Sequence, residues 1–164
     1  MPTLSEHLQA LAQVTGWSAL SQPDSHGVVR VSLEGDLDAV FFALGDSYGL
    51  MRGVVLELPQ AEGDRAALCE QAAQLQVAAV RDHPSILAFE EPGKLTVPGE
   101  EFETTRLICY RAVPWSIDAD TCLDEGQSWL DDCAWWKANF NFSNRLGVTA
   151  NSFVTSSPFS GLKS

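Results

Sequence analysis

The sequence predicts a single α+β domain, with one antiparallel twisted sheet flanked by three helices in the order α-β-β-β-α-β-β-α. Three observations carry this expectation. Strand-like runs come in two blocks, 28–59 and 85–113, rather than alternating singly with helices, which is the signature of antiparallel and not doubly wound sheets. The links within the first block, Gly35-Asp36 and Gly45-Asp46-Ser47-Tyr48-Gly49, are too short for a crossover and suit hairpins. The closing stretch 118–140 reads as a helix with two unlike faces. Trp129, Cys133, Trp136 and Phe140 fall on one stripe, and most of Asp118, Asp120, Asp124, Glu125, Asp131 and Asp132 fall elsewhere.

The elements follow in order. A first helix is predicted from Thr3, because Thr3 and Glu6 have capping-box spacing. Leu4, Leu8 and Leu11 make its apolar stripe, and Gly16 is its stop. The polar segment 21–27 is a loop. In 28–34, Val29, Val31 and Leu33 alternate with Arg30, Ser32 and Glu34 as in a half-buried strand. Residues 38–44 are apolar on both faces, which suits an interior strand. In 53–59, Val54, Leu56 and Leu58 are expected on one face against Val55 and Glu57, and Pro59 ends the run.

A second helix is expected with Asp64 as its N-cap. Leu68, Ala72, Leu75 and Ala79 share one of its faces. That short-chained face suits either a core or a two-fold dimer contact. Next, 85–91 is expected to meet a strand at 94–97 across the Pro92-Gly93 turn. Residues 104–113 form the last strand, stopped by Pro114 before the acidic helix. The tryptophan stripe of that helix either packs on the sheet or forms a binding ridge. Residues 141–164, rich in Ser, Asn and Gly, show no helical period. The domain is therefore expected to span 1–140, with a polar C-terminal extension beyond it.

Composition narrows the function classes. A chain of 164 residues with 45% apolar and 20% charged residues is an ordinary globular domain, large enough to hide about 70% of its surface on folding. No run approaches the length of a membrane span. The N-terminus lacks a basic region followed by a continuous apolar core, so a cytoplasmic location is expected. The net charge of −12 and ten scattered basic residues argue against nucleic acid. The acidity either keeps the protein soluble or suits a basic or aggregation-prone partner. Cys69, Cys109, Cys122 and Cys133 lack close spacing, and His7, His26 and His83 are far from them. Free thiols are expected, with no metal site and no cofactor.

Two stretches match known motifs only in part. Gly45-x-Ser47-x-Gly49 matches the nucleophile elbow of α/β-hydrolases, but the elbow needs a strand, a sharp turn and then a helix, and here another strand follows. The series Asp118, Asp120, Cys122, Asp124 resembles the start of an EF-hand loop, but Leu123 and Trp129 stand where that loop needs glycine and a bidentate glutamate. Its acids suit the N-terminal turn of a helix. No catalysis is expected.

The arrangement resembles the class I type III secretion chaperones, the Tir-chaperone family, over about residues 3–140. The resemblance rests on element order, size, acidity and the closing helix, in which Ala134 precedes Trp135 and Trp136. The chain departs from the family in its longer tail and its alanine- and glutamine-rich second helix. The resemblance implies a non-catalytic homodimer that keeps the N-terminal segment of a secreted effector extended and secretion-competent. It places effector binding on Leu4, Leu8, Leu11, Val29, Val31 and Leu33, and the dimer contact on the helix carrying Leu68, Ala72, Leu75 and Ala79. Alternatives from other classes are an acidic immunity or inhibitor protein capping a basic toxin, a YbjN-like regulatory binding domain, and a small hydrolase using Ser47.

Overall fold

Two tight turns set the first half of the architecture. Asp36 takes a left-handed φ of 57° between β1 (Val29–Leu33) and β2 (Leu37–Leu44), a conformation that aspartate tolerates better than most residues. Gly45, with φ 64°, opens the turn from β2 into β3 (Tyr48–Glu57). The three strands therefore pair antiparallel in sequence. The chain continues through α1 (Glu62–Ala79), β4 (Ile86–Glu90), β5 (Arg106–Pro114) and α2 (Ala119–Leu146). The computed structural model describes residues 22–33, 36–94, 97–114 and 116–146, together with Glu6, Leu8, Gln9 and Ala12. The five strands form one antiparallel sheet in the order β1-β2-β3-β5-β4. The α+β class is as the sequence predicts.

The main core lies between the sheet and the helices. Trp129, Cys133, Trp136 and Phe140 are buried along one stripe of α2. They meet Phe41, Met51, Leu107, Cys109 and Val113 of the sheet in a single apolar cluster. Phe41 stands edge-on to Trp129 with ring centroids 5.6 Å apart, a favoured aromatic geometry. The Trp129 indole N–H donates to the Cys109 carbonyl at 3.3 Å. The tryptophan stripe thus packs on the sheet. A smaller core of Val28, Val40, Phe42 and Val97 forms on the opposite face, so β2 is buried on both sides as its composition implies.

Several boundaries differ from expectation. The predicted first helix falls largely outside the described residues, although Glu6, Leu8, Gln9 and Ala12 are helical. Helix α1 starts at Glu62 after an extended Ala61 with no side-chain cap. Asp64 lies in the first turn, where its charge favours the helix dipole. Strand β3 starts earlier than predicted, at Tyr48, and a register shift between Val54 and Leu56 interrupts its pairing with β5. This bulge changes the phase of the strand. Val55 joins the main core, while Val54, expected beside Leu56 and Leu58, lines the other face.

Of the strand expected at 94–97 after the Pro92-Gly93 turn, Lys94 and Val97 are described, and neither is in a strand. The Lys94 amide donates to the Glu91 carbonyl at 3.2 Å, and Val97 is buried in the smaller core. Leu95 and Thr96 lie outside the described residues. Among the described residues, strand β4 pairs with β5 alone. Finally, α2 continues six residues past Phe140 to Leu146, although 141–146 show no apolar period. The first residue after Phe140 that signals a helix stop is Gly147. Residues 147–164 lie outside the described residues.

Candidate functional site

The face of the sheet turned away from the helices carries a charged cleft of about 520 Å³. Strand register builds its floor. Glu57, Arg106 and Glu90 are cross-strand partners on β3, β5 and β4, so one row of the sheet presents acid, base, acid. Arg52 on β3 pairs with Val40 and Tyr110 and projects to the same face. The loop after β4 then brings Glu100 over both arginines.

Arg106 donates to Glu90 at 2.7 Å and to Glu100 at 3.0 Å. Arg52 donates to Glu100 and lies 3.7 Å from Glu90. The side chains of Arg52 and Glu90 are only 2% and 1% exposed. Two buried positive charges thus meet two negative ones, the condition for tolerating ions away from water. Burial pulls the Arg52 guanidinium below its ordinary pKa, and Glu90 and Glu100 oppose that shift. The Phe102 ring covers the Arg106 guanidinium, 3.7 Å from its carbon. The Nε of Arg52 and the Nε of Arg106 are both buried without a hydrogen-bond partner.

The rim of the cleft is looser. Arg30 sits 3.6 Å from Glu100 and 3.8 Å from Asp24. Asp38 accepts from the Ser32 hydroxyl at 3.0 Å. Glu57 is exposed.

A second charged cluster lies between the sheet and α2. Asp132 is buried and accepts from Arg111 Nη2, from the Ser85 amide and at His83 Nδ1, each at 2.9 Å. Arg111 also donates to the Ser85 hydroxyl at 3.1 Å and to Glu125 at 2.9 Å. The His83 ring stacks on Trp135 at 4.3 Å. Every one of these polar groups is engaged with another element, so the cluster fastens α2 to β5 and to the entry of β4.

The structure distributes the sequence-predicted residues as follows. Leu8 and Val29 are buried in the main core, and Val31 packs against it. Leu33 is the backbone partner of Leu37. Leu4 and Leu11 lie outside the described residues. Leu68, Ala72 and Ala79 are buried in the same core, with Leu75 packed against it, so this face of α1 is occupied within the chain. The large apolar side chains left exposed include Val77 and Val80 at the end of α1 and Ile86 and Phe89 on β4. Ser47 lies in the β2–β3 turn with an antiparallel strand after it, so the elbow's helix is missing. Asp118 caps α2 rather than opening a calcium loop, accepting from the Thr121 amide at 2.8 Å.

Sequence reasoning does not single out the cleft residues Arg52, Glu100 and Arg106 or Glu90, buried beside them. The available signal was a charged residue adjoining apolar ones in each of three strands, Arg52 within β3 after Leu50-Met51, Arg106 opening β5 before Leu107-Ile108, and Glu90 ending β4 after Phe89. Among the described residues, no helix is long and apolar enough to cross a membrane, and no group of three or more His, Cys, Asp or Glu is placed to hold a metal ion. No family model matches the chain, and a comparison with curated proteins finds no match.

Proposed function

We propose that the protein is a non-catalytic chaperone of the class I type III secretion kind, holding the N-terminal segment of a secreted effector in an extended form. The observation that carries this reading is the terminal strand β4. It ends the described sheet order and exposes Ile86 and Phe89 by 47% and 42%. An edge strand with apolar side chains is a template for adding an extended peptide. The element order from β1 to α2 is consistent with it.

Homodimerisation belongs to the same proposal, with its contact moved along α1. Leu68, Ala72, Leu75 and Ala79 are used within the chain, whereas Val77 on that helix and Val80 at its C-cap remain exposed. The test is co-expression with the product of the neighbouring gene. The reading predicts a soluble complex in which the partner's N-terminal segment resists protease without becoming globular. A partner equally soluble when expressed alone and never retained by this chain contradicts it.

A second reading, an inhibitor capping a basic toxin, is favoured by the charge distribution. Arg52, Arg106 and Arg111 are consumed by internal pairs, while Asp120, Asp124 and Asp131 are exposed on α2. Binding that collapses with moderate salt supports this reading over the first.

A further inference from the structure

We infer that Cys109 on β5 and Cys133 on α2 form a disulfide site, one that a low-molecular-weight disulfide such as glutathione disulfide oxidises when the domain opens. The bond staples α2 to the sheet. This goes beyond the chaperone reading and does not depend on it.

Strand register brings the two sulfurs together. Cys109 is the cross-strand partner of Gly53 on β3. Directly opposite residues of an antiparallel pair point to one face, with Cβ positions about 4.5–5.5 Å apart. That face lies under α2, since a Cβ on Gly53 would be 3.0 Å from Cys133 Sγ and 3.4 Å from Trp129 Cζ2. The missing side chain at Gly53 lets the helix settle close to the sheet, and Cys133 fills the space beside Cys109. The two thiols hydrogen-bond to each other, and both are fully buried in the main core. A disulfide spans Cβ atoms about 3.5–4.5 Å apart, a distance that thiols already in contact approach. Cys69 on α1 and Cys122 early in α2 are only partly buried, and they are the thiols open to unrelated oxidation.

Closure and reactivity oppose each other. Burial pushes the Cys133 thiol far above its ordinary pKa, helped by Cys109 and Asp132, so the closed core holds no thiolate to attack an oxidant. Where α2 lifts from the sheet, one of the two thiols ionises and attacks a sulfur of glutathione disulfide. The glutathione S–S bond breaks, a mixed disulfide forms, and one glutathione leaves and takes up a proton. The second cysteine, as thiolate, then attacks the protein sulfur of the mixed disulfide and expels the other glutathione, which is protonated in turn. Two protein thiols are oxidised and one glutathione disulfide is reduced to two thiols. On reclosing, the fold holds the two sulfurs in place, whereas the unfolded chain must close a loop to do so.

The experiment uses the full-length protein carrying Cys69→Ser and Cys122→Ser. It is equilibrated with mixtures of reduced and oxidised glutathione, once below the unfolding transition in urea and once above it, then acid-quenched. Trypsin separates peptide 107–111, with Cys109, from peptide 112–137, with Cys133, so a disulfide between them appears as one joined mass. The joined mass is expected in the folded sample, with an equilibrium constant against glutathione about tenfold or more above that of the unfolded chain. The oxidised protein is expected to show a higher urea midpoint than the reduced one, and Cys109→Ser to abolish the joined mass. Should the double variant fail to fold, the same digest of the wild type answers, with fragment spectra separating Cys122 from Cys133 within 112–137.

A folded-state constant equal to or below the unfolded one overturns the inference, because the fold would then strain the bond rather than favour it. A joined mass that forms only in the unfolded chain overturns it equally, leaving the two thiols as packing.

Discussion

Asp132, on the buried stripe of α2, accepts a hydrogen bond at 2.9 Å from Arg111 on β5, and this pair holds helix to sheet. Asp132 also satisfies the Ser85 amide and His83, so its removal takes a partner from three groups at once, of which Arg111 keeps Glu125 and the Ser85 hydroxyl. Losing one partner of a buried pair costs about 3–5 kcal/mol when the remaining charge is uncompensated, and the Glu125 carboxylate beside Arg111 keeps the cost below that range. Asp132→Ala is therefore expected to lower the urea midpoint strongly. The Asp132→Leu/Arg111→Leu double variant is expected to be less destabilised than the sum of its singles. Additive singles would remove the pair from the account.

Close packing at Gly53 gives a second prediction. A Cβ there would lie 3.0 Å from Cys133 Sγ and 3.1 Å from Leu37 Cδ1, and Cys133 is fully buried. Gly53→Ala is expected to destabilise by about 1–3 kcal/mol through overpacking. Trimming the neighbour with Cys133→Ala should recover part of that loss, seen as a favourable coupling in the double-mutant cycle. A neutral Gly53→Ala would show that α2 does not press on β3.

The N-terminus of α2 makes a pH prediction. Hydrogen bonds from the Thr121 amide and hydroxyl hold the Asp118 carboxyl below its ordinary value of 3.8. A depressed folded pKa contributes stability that is present above the unfolded pKa and lost as pH falls through the folded one. Asp118→Ala is therefore expected to lower Tm at neutral pH, with the difference from wild type shrinking below about pH 4. A difference independent of pH would assign the loss to helix propensity rather than capping.

Thiol chemistry reports on the core. Burial pushes the Cys133 thiol far above its ordinary pKa, helped by Cys109 and Asp132. Burial and Glu125 also raise Cys122, which is only partly enclosed. Iodoacetamide is expected to modify the partly exposed Cys69 and Cys122 first, with Cys109 and Cys133 labelled only as the domain opens. Early labelling of Cys133 would contradict the packing of α2 on the sheet.

The legible parts of this fold are those written in period. The stripe from Trp129 to Phe140 is a plain 3.6-residue repeat, and all four of its members are buried. The two-sided apolar run at 38–44 predicts an interior strand, which β2 is. What escapes the sequence depends on neighbours distant along the chain. The bulge that turns Val55 into the core arises from pairing with β5. The loop carrying Val97 and Glu100 is held by residues of β2, β3 and β5, so its own sequence reads as a strand. Arg52 looked like one of many scattered bases because its counter-ions lie 38 and 48 positions away. The sequence alone could not weigh an apolar face of α1 as core against dimer contact, since both use the same residue types.

The measurement that bears most directly on the central claim is amide hydrogen exchange across Ile86–Glu90, with the full-length protein alone and with the co-expressed neighbouring gene product bound. A client laid along the sheet edge supplies new backbone hydrogen bonds to β4. The account predicts slowed exchange in β4 and in an N-terminal stretch of the client. Unchanged exchange in β4 within a complex that nevertheless forms would contradict edge-strand capture.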